Sequence, residues 1–315
     1  MKKIILPFLF LISLSSCQNV TTLNSKIFSF DTMIETNLYE GENKDLKAIE
    51  DIFNKLGKLS DNYLETDIQN IYSINQLSGD IILNSDLYDL LKVSFDVNKE
   101  NSYFNPFCGL LSKKWKESLS KKQLLDEIVI SEELEKMNNS QITFKENNTI
   151  NKIGEAEIDL GAIAKGYALD KAYEYLKVNN YNHYLINAGS SSVLLGEKDT
   201  KDGLFTIKIN DLEKGYMRLK NCFVSTSSKS IQGVNIDGVT YSHIINPIDG
   251  SAINKHDTVI VVSDCGYIGD AYSTAFMLNT IDEIKEYEIN KGLKTIIIKD
   301  GKVEYNHPDI EVFYK

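Results

Sequence analysis

Between Tyr184 and Ile298 the chain carries six short runs of β-branched, aromatic and other apolar residues. They are Tyr184 to Ile186, Ser192 to Leu195, Leu204 to Ile209, Cys222 to Ser225, Thr258 to Ser263 and Thr295 to Ile298. Such residues suit a pleated, half-buried surface, so each run predicts a strand. The last leads through Asp300-Gly301, a pair suited to a two-residue hairpin, into Lys302 to Tyr305. Helical spacing belongs to the first half instead. Leu46, Ile49, Phe53 and Leu56 share one helix face, and Ser85 reads as the N-cap of a second helix through Leu87, Leu90, Leu91 and Phe95. Ile27 to Tyr39 and Gln141 to Phe144 read as strands, and Asn105-Pro106 precedes an amphipathic stretch reaching Trp115. Strands and helices do not alternate, and no GxGxxG follows a strand. An α+β fold is therefore expected rather than a doubly wound dinucleotide fold.

The first seventeen residues read as an export signal and are excluded from the fold. Lys2 and Lys3 precede an apolar run from Ile4 to Leu14, about half the roughly 20 residues of a membrane-spanning helix. Leu14-Ser15-Ser16-Cys17 resembles the lipobox of bacterial lipoproteins. That resemblance implies cleavage before Cys17 and lipidation of its thiol, which would hold the protein at a membrane surface. Residues 18–26 read as a tether and 27–315 as the body.

A formal charge of −11 and the lack of a basic cluster argue against nucleic acid as a partner. An acidic chain that binds a polyanion needs a cation at the contact. After Cys17 only Cys108, Cys222 and Cys265 remain, an odd number without CxxC spacing, which points to buried thiols rather than disulfides or zinc.

Three segments carry chemistry. In Asp159-Leu160-Gly161-Ala162-Ile163-Ala164-Lys165-Gly166-Tyr167-Ala168-Leu169-Asp170, glycines bracket a lysine where a turn should open a helix. Backbone amides and a cation are thus brought close enough to serve a phosphate, although on spacing alone a helix start with a solvated lysine is the plainer reading. In Asp270-Ala271-Tyr272-Ser273-Thr274, Asp270 and Thr274 lie one helical turn apart and can offer a carboxylate and a hydroxyl to one hard cation; an ordinary surface pair is the plainer alternative. His243, in Tyr241-Ser242-His243-Ile244-Ile245-Asn246-Pro247-Ile248-Asp249-Gly250, is either a proton acceptor or a structural imidazole.

In order and spacing these segments resemble the ApbE family of FAD:protein FMN transferases. DLGAIAKGYALD is similar to the family's DLGGIAKGYAVD, YSHIINPIDG to HIIDPRTG, and DAYSTAF to DALSTAL. The resemblance implies a two-lobed α+β fold with mixed or antiparallel sheets and FAD in the cleft between lobes. It implies Mg²⁺ held by Ala162, Asp270 and Thr274, and His243 and Lys165 as catalytic groups. Phe30, Asn62, Phe104, Asn105, Asp159, Lys165, Thr226 and Ile245 fall where the family binds FAD, its substrate. The reaction implied is transfer of FMN to a Thr or Ser of an acceptor flavoprotein, outside the cytoplasm, with release of AMP. Ala162, Ser190 and Ser228 stand where glycines are usual, and Asn105 where an aspartate is frequent. Asn62 stands where many members have an aromatic, which leaves FAD hydrolysis to FMN and AMP, or FAD binding without turnover, as alternatives.

Overall fold

The computed structural model describes residues 22–314; Cys17 and the rest of the leader lie outside the described residues. β1 (Leu23–Ser29) and β2 (Thr32–Leu38) form an antiparallel hairpin across Phe30 and Asp31, which have φ of 54° and 56°. The run from Ile27 to Tyr39 is thus two strands joined without Gly or Pro, the usual punctuation of such a turn. The first strand also begins at Leu23, inside the stretch read as a tether, because Leu23, Ser25 and Ile27 are half-buried against the body.

There follow α1 (Asn43–Ser60), α2 (Ile71–Asn75), β3 (Gly79–Ile82), α3 (Ser85–Glu100), a 3₁₀ turn at Pro106–Cys108, α4 (Gly109–Ser120), α5 (Glu127–Asn138), β4 (Gln141–Lys145), β5 (Thr149–Ile153) and α6 (Ala164–Val178). The second half contains β6 (Tyr184–Ala188), β7 (Ser192–Leu195), β8 (Phe205–Lys208), β9 (Gly215–Leu219), β10 (Cys222–Ser228), β11 (Val234–Ile236), β12 (Val239–Tyr241) and β13 (Thr258–Ser263). It ends with α7 (Gly266–Phe276), α8 (Ile281–Lys291), β14 (Lys294–Lys299), β15 (Lys302–Asn306) and β16 (Val312–Tyr314). The N-cap of α3 is Asn84 rather than Ser85, because the Asn84 side chain accepts the Leu87 N–H at 2.9 Å.

The main sheet has eight strands in the order β1-β2-β6-β7-β10-β13-β14-β15, each pair antiparallel. Its central strands are covered on both faces. Phe223, Val259, Val261 and Ile297 join the core shared with the helices, whereas Val224, Ile260, Val262, Ile296 and Ile298 join a second core with Phe205, Ile209 and Met217. Double burial explains why these strands read as continuous apolar runs rather than alternating ones. Each such side chain contributes about 1.5–3 kcal/mol when fully buried.

A smaller sheet, β3-β5-β4, lies with α3 to α5 and shares the helical core through Ile81, Leu87, Phe95 and Ile150. The structure is α+β and antiparallel. Cys108, Cys222 and Cys265 are free. No described helix is long and apolar enough to cross a membrane.

Candidate active site at the crossing of α6 and α7

The two chemical helices meet where neither has a side chain. A Cβ on Gly166 would come within 2.1 Å of the Gly266 carbonyl oxygen, and one on Gly266 within 2.3 Å of the Gly166 carbonyl oxygen. Only glycine permits that approach, and it brings the first turn of α6 against the first turn of α7. Two carboxylates then stitch the crossing. Asp170 accepts the Gly266 and Tyr267 N–H groups at 2.7 and 2.8 Å, satisfying free donors at the start of α7. Asp270 accepts the Gly166 N–H at 2.7 Å through Oδ2 and the Ser192 hydroxyl at 2.5 Å through Oδ1. Burial pushes the Asp170 carboxyl up to about 6 despite those donors, and the nearby Asp270 adds to the rise.

The contact to Asp270 has a chemical consequence. In a regular helix start, the Gly166 N–H would bond the Ala162 carbonyl, but it is committed to Asp270. Among the described residues no hydrogen bond reaches the Ala162 oxygen. Thr274, one turn beyond Asp270, bonds the Asp270 carbonyl at 3.3 Å and the Ser227 hydroxyl at 3.2 Å. The crossing therefore offers a carboxylate, a hydroxyl and an uncommitted carbonyl, all oxygen. Such donors fit a hard cation that takes its remaining ligands from phosphate and water. Among the described residues no group of three or more His, Cys, Asp and Glu side chains converges to hold a metal ion.

Asp159 lies at the entrance to α6, where its Oδ1 accepts the Gly161 N–H at 2.7 Å. Protein packed around it raises its carboxyl, a rise opposed by that N–H, by Lys113, by Asn62 and by Lys165. Among the described residues Lys165 makes only a long 3.4 Å hydrogen-bond contact, to the Gly161 carbonyl. Asn62 is 5 % exposed, and although its amide is near enough to favour ionised Asp159, its Nδ2 makes no hydrogen bond of normal geometry. A buried donor left in that state costs about 1–3 kcal/mol unless a ligand meets it. Beside it, Tyr63 is flanked by Lys113 Nζ and Lys116 Nζ at 4.9 and 5.0 Å from its ring centre.

His243 is open to solvent on one side and hemmed in on the other. The packing lowers its pKa, and Lys165 and Lys116 lower it further, so the imidazole is neutral at pH 7. Lys165 and His243 thus share one electrostatic neighbourhood.

Other residues named from the sequence are placed less directly. Thr226 is half-buried on β10, beside the Ser227 that bonds Thr274. Phe30 is half-buried and packs edge-on against Phe53, ring centres 6.4 Å apart. Phe104 and Ile245 belong to the main core. The Asn105 side chain accepts the Phe107 N–H at 2.9 Å as a helix cap. Ser190 has φ of 63°, a left-handed conformation in which glycine is the unstrained choice. Sequence reasoning did not pick out Ser192, Ser227, Lys113 or Lys116. Only its contacts with Ser273 and Thr274 of α7 distinguish Ser227 from an ordinary strand-end serine. Two concavities, of about 520 Å³ by Val303 and Val312 and about 400 Å³ by Asp211 and Thr258, contain none of the site residues.

The model of one protein family, the ApbE family, matches residues 30–297. The chain belongs to the ApbE family. Its curated relatives include a FAD:protein FMN transferase of Treponema pallidum (strain Nichols), 26% identical over 220 residues, covering 63% of this chain and 61% of that protein. Another, from Vibrio cholerae, is 30% identical over 180 residues and covers 53% of each chain. The chain thus spans between about half and three fifths of these two relatives. The ApbE fold itself is shared nearly end to end. The ApbE protein of Thermotoga maritima superposes with a TM-score of 0.76 at 21% identity, over 92% of this chain and 96% of that one. The flavin transferase ApbE of Vibrio cholerae gives 0.74 at 18% identity, over 91% and 97%.

Proposed function

We propose that this ApbE-family chain is a magnesium-dependent FAD:protein FMN transferase. The observation that carries the proposal is the Ala162 carbonyl left uncommitted by the Asp270 to Gly166 contact, with Thr274 one turn from Asp270. Ala162, Asp270 and Thr274 would hold Mg²⁺, which when bound supplies charge neutralisation at the pyrophosphate of FAD. Lys165 adds a second positive charge, and the Gly161 to Gly166 turn lets backbone approach the phosphates. His243, neutral and solvent-facing, accepts the proton of an incoming Thr or Ser hydroxyl. That oxygen forms a bond to the FMN-side phosphorus as the bond to AMP breaks. Positioning and charge compensation do most of the work in such a transfer. Asn62 and Asp159 are proposed to border the FAD site, with Phe30, Thr226 and the backbone near Phe104, Asn105 and Ile245.

Relatives named FAD:protein FMN transferase support this choice. Lipidation at Cys17 would place the enzyme on the outer side of a membrane, where acceptor flavoproteins of membrane redox complexes or exported flavoproteins are its partners. A second reading, an FAD pyrophosphatase, is favoured by the small amide of Asn62 at a position where an aromatic could stack on FAD. Incubation with FAD and Mg²⁺ separates them. AMP release that waits for an acceptor, with an FMN adduct on its Thr by mass spectrometry, supports transfer; rapid AMP release without acceptor supports hydrolysis.

A further inference from the structure

In the segment 229–256 that bears His243, Ile244, Ile245 and Ala252 are buried in the main core, and one side chain of α4 adds a further anchor. Trp115 is 4 % exposed, and its Nε1–H donates to the Gly250 carbonyl at 2.8 Å. Its ring also stacks on Tyr241, with centres 6.2 Å apart and planes 18° from parallel. Between these anchors the chain doubles back on itself. The Ser242 N–H bonds the Ala252 carbonyl, the Asn246 N–H the Ser251 carbonyl and the Gly250 N–H the Asn246 carbonyl, each at 2.8 Å. Gly250, at φ 74°, has no room for a Cβ, which would lie 2.3 Å from Ile130 of α5. The turn is thus held against both α4 and α5.

His243 sits between the anchors, and its imidazole makes no hydrogen bond among the described residues. Its direction must therefore come from the backbone that carries it. We propose that Trp115 is a positioning residue for His243, fixing through Gly250 and Tyr241 the turn that aims the imidazole at the incoming hydroxyl. The proposal rests on the role given to His243 above. A displacement of about 1 Å at a reacting group can cost about 10²-fold in rate, so a remote anchor of this kind matters.

Trp115→Phe keeps an aromatic ring against Tyr241 and deletes the donor to Gly250. In the full chain its amides from 242 to 252 should exchange with deuterium about tenfold faster while unfolding stays cooperative. The kcat for acceptor-dependent AMP release should fall about tenfold with KM for FAD unchanged. The same substitution in a His243→Ala background should have no further effect on kcat, because residues that act as a unit are not additive. Tyr241→Leu, which removes the stack and spares the hydrogen bond, should give a smaller loss with the same dependence on His243. An equal loss from Trp115→Phe in both backgrounds, or an unchanged kcat, overturns the proposal alone. Undiminished turnover in His243→Ala overturns it together with the role of His243.

Discussion

Asp170 and Asp270 each hold the helix that the other stands on: Asp170 of α6 caps the first N–H groups of α7, and Asp270 of α7 takes the Gly166 N–H in the first turn of α6. The exchange locks the crossing with Asp270 directed at α6. Burial raises the Asp170 carboxyl to about 6, from an unfolded value near 3.9. Between about pH 4 and 6 the folded state then binds the Asp170 proton more tightly than the unfolded state, so stability from this group falls as pH rises through that window. For a partly exposed group the swing is about 2 kcal/mol. Asp170→Asn does not titrate. Urea unfolding at pH 4 and pH 7 should show wild type losing about 2 kcal/mol relative to Asp170→Asn; a constant difference would refute the assignment.

Gly166→Ala tests the close approach. Its new methyl meets Gly266 backbone, which cannot swing away as a flexible side chain would, so the helices must part. Overpacking of this kind costs about 1–3 kcal/mol, and the same separation withdraws Asp270 from the Ala162 turn. Chemical denaturation should show that loss, and Mg²⁺-dependent AMP release should fall with it. Stability within 0.5 kcal/mol of wild type, a change typical of neutral surface sites, would mean that the crossing tolerates a side chain.

The lowered pKa of His243, caused first by burial and then by Lys165 and Lys116, places the acidic limb of the transfer rate below the ordinary 6.5. Lys116→Gln removes one of those charges. The limb in a profile of kcat against pH should move to higher pH, whereas a limb that stays in place would separate Lys116 from the imidazole. His243→Ala should slow transfer by about 10² to 10⁴ with FAD affinity retained.

The fold was legible where burial is uniform. β13 and its neighbours read directly as strands because both of their faces are apolar, and β7 begins and ends where its sequence pattern does. The first hairpin was not, because Phe30 and Asp31 turn the chain at positive φ without a glycine. The start of β1 at Leu23 was hidden for a related reason: alternating half-buried residues from Leu23 look polar when read as a composition. In the candidate site, the spacing of Asp270 and Thr274 was visible, but their hydroxyl partners Ser192 and Ser227 come from separate strands, and serine alone announces nothing. Trp115 likewise reads as ordinary core until Gly250 and Tyr241 are seen against it.

Asp270→Asn gives the most direct test of cation binding at the crossing. Asparagine can keep its oxygen on the Gly166 N–H and offer its amide to the Ser192 oxygen, so only the charge is removed. AMP release from FAD should be titrated with Mg²⁺ for both proteins, with thermal unfolding recorded alongside. The substituted protein should melt within about 4 °C of wild type, a difference of no more than about 1 kcal/mol. It should need about 100-fold more Mg²⁺ or lose turnover altogether. Superimposable magnesium curves would show that no cation is held by Asp270.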